Sequence, residues 1–208
     1  MNIIYIPWTK AIRMCYKLAE IVMDSGESFD AIVTISRGGL IPARIVSDVL
    51  GIEEFYTIRA KFWGTGGKLY EEPLIDLHEV LKVKNKKVLV VDEVVDTGAT
   101  MTKVVRLLND LEATEVKTAV LHYKITSSHI PSFYVEKVEK WAWILYPWTI
   151  AEAIYSLSRQ GDGTSKEDVI KNALKLAKEL GIDKEDMLID INYLVKSLKL
   201  YMRRDGIE

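Results

Sequence analysis

The chain has 208 residues, 49% of them hydrophobic and 28% charged, enough for one core of ordinary size and a modest second unit, which excludes a disordered tail protein or a disulfide-built miniprotein. Lys and Arg number 28 against 30 Asp and Glu, for a net charge of -2, so there is no global attraction to a phosphate polymer or an anionic membrane, and neither nucleic acid nor membrane is an expected partner. The lone Cys15, an opening without a signal-peptide pattern, and apolar runs all shorter than the roughly 18 residues of a membrane span lead to the expectation of a reduced, cytoplasmic protein.

In chain order, Ala11, Ile12, Met14, Cys15, Leu18, Ala19, Ile21 and Val22 recur at helical spacing after Thr9, a candidate N-cap, so an amphipathic helix with Cys15 in the core is predicted. The apolar run Ala31 to Ile35 predicts a strand. It ends in Ser36-Arg37-Gly38-Gly39 and is followed by a helix over Ile41 to Leu50, closed by Gly51. Phe55 to Phe62 reads as a strand, and Gly64-Thr65-Gly66-Gly67-Lys68 behind it as a loop too rich in glycine to hold one conformation unaided. This loop is not a P-loop, because Phe62 and Leu69 stand where Gly and Ser or Thr are required. Val88 to Val91 is an unbroken aliphatic strand running into Asp92 to Thr100 and a helix to about Leu111. Val116 to Tyr123 and Trp141 to Tyr146 supply further strands.

Strands alternating with helices, with glycine turns between them, predict an α/β fold with a mostly parallel sheet flanked by helices, its ligands at the carboxyl ends of the strands. Gln160-Gly161-Asp162-Gly163-Thr164 reads as a linker between a catalytic domain, 1–159, and a helical C-terminal extension, 160–208. There Ser165 and Asp168 form a capping-box pattern. The first tail helix stops at Gly181. The second, from near Asp183, carries Met187, Leu188, Ile191, Leu194, Val195, Leu198 and Met202 on one face, making a helical hairpin that must pack on something. Nine Lys and Arg against ten Asp and Glu from Gly161 to Glu208 disfavour a DNA-reading role for it.

The chemistry concentrates in Val88-Leu89-Val90-Val91-Asp92-Glu93-Val94-Val95-Asp96-Thr97-Gly98-Ala99-Thr100. A buried strand delivers two adjacent acids to the sheet edge, where they can accept from hydroxyls or hold a hydrated cation. Asp96 to Thr100 then turns into a helix, aiming backbone N–H groups, two hydroxyls and the positive helix end at one spot suited to a phosphate. Together they match a ribose 5-phosphate. His78, His122 and His129 lack partners at ligand spacing, so a zinc site held by the protein is not expected.

The complete motif resembles the signature of the type I phosphoribosyltransferases, purine branch, with archaeal purine and xanthine-guanine enzymes as the nearest pattern. These bind 5-phosphoribosyl 1-diphosphate (PRPP) and replace its pyrophosphate with a nitrogen base. The resemblance covers roughly Ile3 to Trp148. It implies that Ser36, Arg37 and Gly38 form the pyrophosphate loop and that Lys61, with the glycine-rich lid behind it, closes over pyrophosphate. It also implies that Asp92, Glu93, Val95, Asp96, Thr97, Gly98, Ala99 and Thr100 bind the sugar phosphate, and that Mg²⁺ acts on pyrophosphate and ribose hydroxyls beside Asp92 and Glu93. Asp96, Arg37 and Lys61 are the candidate catalytic residues, with Asp96 handling the purine proton. For the base, the resemblance implies Lys124 as donor to a purine 6-oxygen and Trp143 with Ile144 as stacking and backbone contacts. A count from Glu139-Lys140 would instead make Trp141 the stacking residue.

The expected activity is a salvage reaction of a purine base with PRPP giving nucleoside monophosphate and pyrophosphate, carried out by a homodimer. Lys124 suits a 6-oxopurine such as hypoxanthine, guanine or xanthine. Departures from the family pattern gather at the base-reading end: Ile125 replaces a proline and the tryptophan segment is two residues longer. These tip the expectation narrowly to adenine, with Lys124 swung to solvent. Alternatives are a pyrimidine or orotate enzyme of the same fold and, from another class, a regulatory protein that senses phosphoribosyl compounds.

Overall fold

The computed structural model describes residues 2–61, 63–64, 67–68, 72–77, 80–159, 165–182 and 191–207. These group into two compact units, one drawn from 1–2, 9–62 and 70–142, the other from 3–8, 63–69 and 143–208.

The first unit is built on a six-stranded sheet in the order β6-β3-β2-β7-β8-β9, where β2 is Ala31–Ser36, β3 Phe55–Lys61, β6 Leu74–Leu77, β7 Lys87–Val95, β8 Glu115–Lys124 and β9 Phe133–Val138. Only β6 runs antiparallel to its neighbour. The mostly parallel sheet flanked by helices is as the sequence predicts. The central strands are apolar on both faces because both are covered. On one face, Ala31, Val33, Ile35, Val88, Val90 and Val120 pack with Met101, Val104 and Leu108 of α3 (Ala99–Asp110). Their alternates Ile32, Leu89, Val91, Ala119 and Leu121 are buried too. The helix α2 (Leu40–Leu50) packs on β2 and β7, and α1 (Trp8–Asp24) buries Ala11, Met14, Cys15, Leu18, Ala19 and Val22. Cys15 is a free core thiol, and burial pushes its pKa up to about 12.

The second unit joins β1 (Ile3–Tyr5) in parallel to β10 (Trp143–Leu145). It continues through α4 (Ile150–Ser158), α5 (Lys166–Glu179) and α6 (Ile191–Arg204). Ile150, Ile154 and Tyr155 of α4, Val169, Ala173 and Ala177 of α5, and Leu194, Leu198 and Met202 of α6 share one core. The partner for the tail's apolar face is therefore α4, an element with no forecast in the sequence. The capping box is present: Ser165 Oγ accepts from the Asp168 N–H at 3.2 Å, and the Ser165 N–H donates to Asp168 Oδ2 at 3.3 Å. The linker 160–164 and the segment 183–190, with Met187 and Leu188, lie outside the described residues.

Five strands went unforecast: β1, β6, β9, and the short β4 (Trp63–Gly64) and β5 (Gly67–Lys68), which pair with each other inside the glycine-rich segment. Each is short or polar on one side, so its alternation is too brief to stand out from loop. Thr65, Gly66 and Leu69 of that segment lie outside the described residues. The strand predicted over 141–146 is narrower, and it pairs with β1 rather than joining the main sheet.

Candidate functional site

Parallel pairing places Thr34 opposite Val91, so the segments leaving β2 and β7 emerge side by side at the same sheet edge. After β2 the chain turns through Arg37, Gly38 and Gly39; the Ser36–Arg37 peptide is cis, and Arg37 is exposed. A Cβ on Gly38 would fall 2.7 Å from Glu93 Cδ, so the loop backbone lies directly against the Glu93 carboxyl group. The two motifs read separately along the chain thus form one surface.

Within the acid pair, the Glu93 N–H donates to Asp92 Oδ1 at 2.8 Å. Burial, and then the neighbouring Glu93 charge, raise the Asp92 carboxyl well above the ordinary range, although that N–H pulls it down. A site crowded with negative charge is relieved by donors such as ribose hydroxyls or by a cation. The described residues contain no group of three or more His, Cys, Asp or Glu able to cage a metal. The adjacent carboxyl groups of Asp92 and Glu93 are hard oxygen donors of the kind that would suit a hydrated Mg²⁺ sharing its ligands with a substrate.

Beyond the acids, Val95 closes β7 and is buried in the core. Asp96 to Thr100 carries the chain into α3. Gly98 is the N-cap, with φ 85° and no capping side-chain bond, so the first helical N–H groups are not taken up by their own cap. Thr97 is exposed, with its Oγ1 3.4 Å from the Ala99 N–H, and Thr100 lies in the first turn. A helix N-terminus with amides that its own cap leaves open, beside the Thr97 hydroxyl, is a setting in which an anion can bind. A turn that escaped sequence reasoning braces it: the Ser128 N–H and Oγ–H both donate to the Thr97 carbonyl at 3.0 Å. A Cβ on Gly98 would lie 2.6 Å from His129 N and from Ser127 Oγ. The Ser127-Ser128 pair after a strand was the available signal.

At the end of β8 sits Lys124, 4% exposed. Val95 pairs with Tyr123, so Asp96 and Lys124 follow in register, and Lys124 Nζ donates to Asp96 Oδ2 at 2.8 Å. The expected excursion of Lys124 to solvent is corrected by this contact: a buried ammonium needs a charged partner, and Asp96 supplies it. The ammonium also lies over the Trp141 ring, 4.7 Å from its centroid. Two residues earlier on the same strand, His122 is 1% exposed with Nε2 3.3 Å from Glu136 Oε2. Burial is the main reason its pKa falls to about 4.

Lys61 ends β3, but its side chain lies outside the described residues. Trp143 and Ile144 belong to the second unit. Ile144 pairs with Ile4 in the two-stranded sheet, and Trp143 is partly buried against the helical core there. The structure thus brings Ser36, Arg37, Gly38, Asp92, Glu93, Asp96 to Thr100 and Lys124 to one edge of the first unit's sheet.

Residues 7–153 match the family model of the phosphoribosyl transferase domain. Among characterised relatives, the xanthine-guanine phosphoribosyltransferase of Gluconobacter oxydans is 29% identical over 146 residues, covering 70% of this chain and 84% of that protein. The crystal structure of a purine phosphoribosyltransferase from Pyrococcus horikoshii is 35% identical, with a TM-score of 0.61, across 71% of this chain and 95% of that one. A hypothetical protein from Neisseria gonorrhoeae, crystallised with bound ppGpp, is 27% identical with a TM-score of 0.59, across 84% of this chain and 98% of the other.

Proposed function

The chain belongs to the phosphoribosyl transferase domain family, and from that premise we propose that it transfers the phosphoribosyl group of PRPP to a 6-oxopurine, releasing pyrophosphate and a nucleoside 5′-monophosphate. The observation that carries the choice of base is Lys124, whose buried ammonium is held by Asp96 at 2.8 Å. A fixed donor suits the 6-oxygen of hypoxanthine, guanine or xanthine. Facing the 6-amino group of adenine, it would set donor against donor and leave an N–H on each side without an acceptor. The adenine preference suggested by the divergent base-reading segments gives way on this point. It also has less support from the relatives, several of them named for xanthine and guanine, and from the ppGpp, a guanine nucleotide, held by the gonococcal neighbour.

In this proposal the 5-phosphate rests on the Ala99 and Thr100 amides with the Thr97 and Thr100 hydroxyls. Asp92 and Glu93 accept from the ribose hydroxyls. As the bond from C1 of the sugar to pyrophosphate breaks, positive charge grows on the ring beside these acids. Negative charge grows on the leaving group, where Arg37 and the Ser36 to Gly38 backbone meet it. The purine nitrogen forms the new bond to C1, and its proton passes to the Asp96 carboxylate, a role worth about 10² to 10⁴ in rate. Mg²⁺, bound near Asp92 and Glu93 through substrate oxygens, would supply further charge neutralisation of pyrophosphate.

A competition assay with adenine, hypoxanthine, guanine, xanthine, uracil and orotate, each with PRPP and Mg²⁺, tests the proposal. At least one 6-oxopurine should exceed adenine in kcat/KM by about tenfold or more, the scale of one mispaired buried donor. Adenine turned over as well as the best 6-oxopurine would overturn it.

A further inference from the structure

Trp141 stands three residues beyond Val138, the partner of Lys124 across the β8–β9 ladder, so the chain leaving β9 returns over the lysine it has just paired with. The indole face meets the Lys124 ammonium 4.7 Å from the ring centroid, while Asp96 Oδ2 takes a hydrogen bond from the same nitrogen at 2.8 Å. The ammonium is thus held by two groups of different kinds, a carboxylate that fixes one N–H and a π face that attracts the charge. Lys124 is 4% exposed and Trp141 43%; the ring covers the lysine rather than sinking into the core. The indole face that meets the ammonium is closed to a purine, so on that face the ring serves the lysine and not the base.

We propose that Trp141 is a positioning residue for Lys124, acting on the choice between 6-oxo and 6-amino purines through the ammonium it covers rather than by stacking on the base. This rests on the 6-oxopurine reading of the same site. Removing the ring frees the ammonium to turn on its four-carbon stem, and a donor that wanders discriminates less between an acceptor and another donor. A stacking ring would serve every purine alike, because each has a π face.

The test compares hypoxanthine and adenine as substrates in the wild-type protein and in Trp141→Leu, Trp141→Phe, Lys124→Met and the Trp141→Leu/Lys124→Met double variant. Trp141→Leu should lower the hypoxanthine-to-adenine ratio of kcat/KM by roughly two- to thirtyfold, the range for loss of such a contact. Trp141→Phe, which keeps a π face, should restore most of it. In the Lys124→Met background the same change should leave the ratio where it is. Equal loss for both bases, an unchanged ratio in Trp141→Leu, or the same fall with Lys124 already gone would each overturn the proposal. Should the wild-type protein prefer adenine, the 6-oxopurine reading fails by itself, and Trp141 is judged by a double-mutant cycle in denaturant unfolding. Coupling between Trp141→Leu and Lys124→Met supports it, and strict additivity rejects it.

Discussion

Thr97 and Thr100 flank the N-cap at Gly98, whose φ of 85° and crowded Cβ position admit glycine alone. Each hydroxyl lost from a charged hydrogen bond should cost about 1.5–3 kcal/mol. Thr97→Ala and Thr100→Ala should therefore weaken PRPP binding roughly ten- to a hundredfold without changing the order of preference among bases. Titration calorimetry with PRPP, alongside the competition assay, checks both halves. Asp92 is expected to trade stability for function. Its carboxyl is raised above its unfolded value by burial and by Glu93, so its contribution to stability is fully present below the unfolded carboxylate pKa and is lost as pH rises through the folded one. Asp92→Asn should raise the melting temperature at pH 7 to 8 and lose that advantage on acidification, while PRPP affinity falls. A lower melting temperature at pH 8 would show that the ionised acid is not a burden on the fold.

Among the elements, α4, α5 and α6 behave as one block because none can bury its apolar face alone. Leu198 is fully buried in their shared core, and Leu198→Ala removes that filling at a cost of about 2–5 kcal/mol. Thermal unfolding should show a lower melting temperature or an early separate transition, with PRPP turnover retained at temperatures below it. Unchanged unfolding would mean that this block does not depend on α6. The tail helices were legible from the stripe Leu194, Leu198 and Met202 and from the Ser165–Asp168 box, which needs only residues three apart. Their packing partner was not, because α4 has only nine residues, too few for its stripe of Ile150, Ile154 and Leu157 to stand out along the chain.

For the molecule as a whole, acid stability rests on individual groups whose pKa the fold lowers, and His122 is the buried histidine among them. Burial, together with the Lys10 and Lys124 charges, outweighs Glu136 and pushes its pKa down to about 4, so the unfolded chain binds the proton more tightly than the folded one. Its contribution is present above the unfolded value near 6.5 and is lost as pH falls from there through about 4. Denaturant midpoints measured from pH 7 to 4 should fall in the wild-type protein and fall less steeply in His122→Asn. Parallel slopes would assign the acid limb to other groups.

The sequence by itself determined the parts of this protein that are local. The aliphatic run Val88 to Val91, the acids behind it and the Asp96 to Thr100 turn are contiguous, so strand, anion cradle and family resemblance were all readable from one stretch of chain. What only the tertiary structure decided depends on which strands lie side by side. Parallel register puts Gly38 against Glu93, Asp96 against Lys124, and Trp141 over the same ammonium. Asp96 and Lys124 stand 28 residues apart along the chain, and no periodicity links the members of these pairs. A side chain that ends a strand can face solvent or a neighbour, and the choice is made by the charge the adjacent strand presents. For Lys124 that charge is Asp96, and burial leaves the ammonium no cheaper arrangement than the pair.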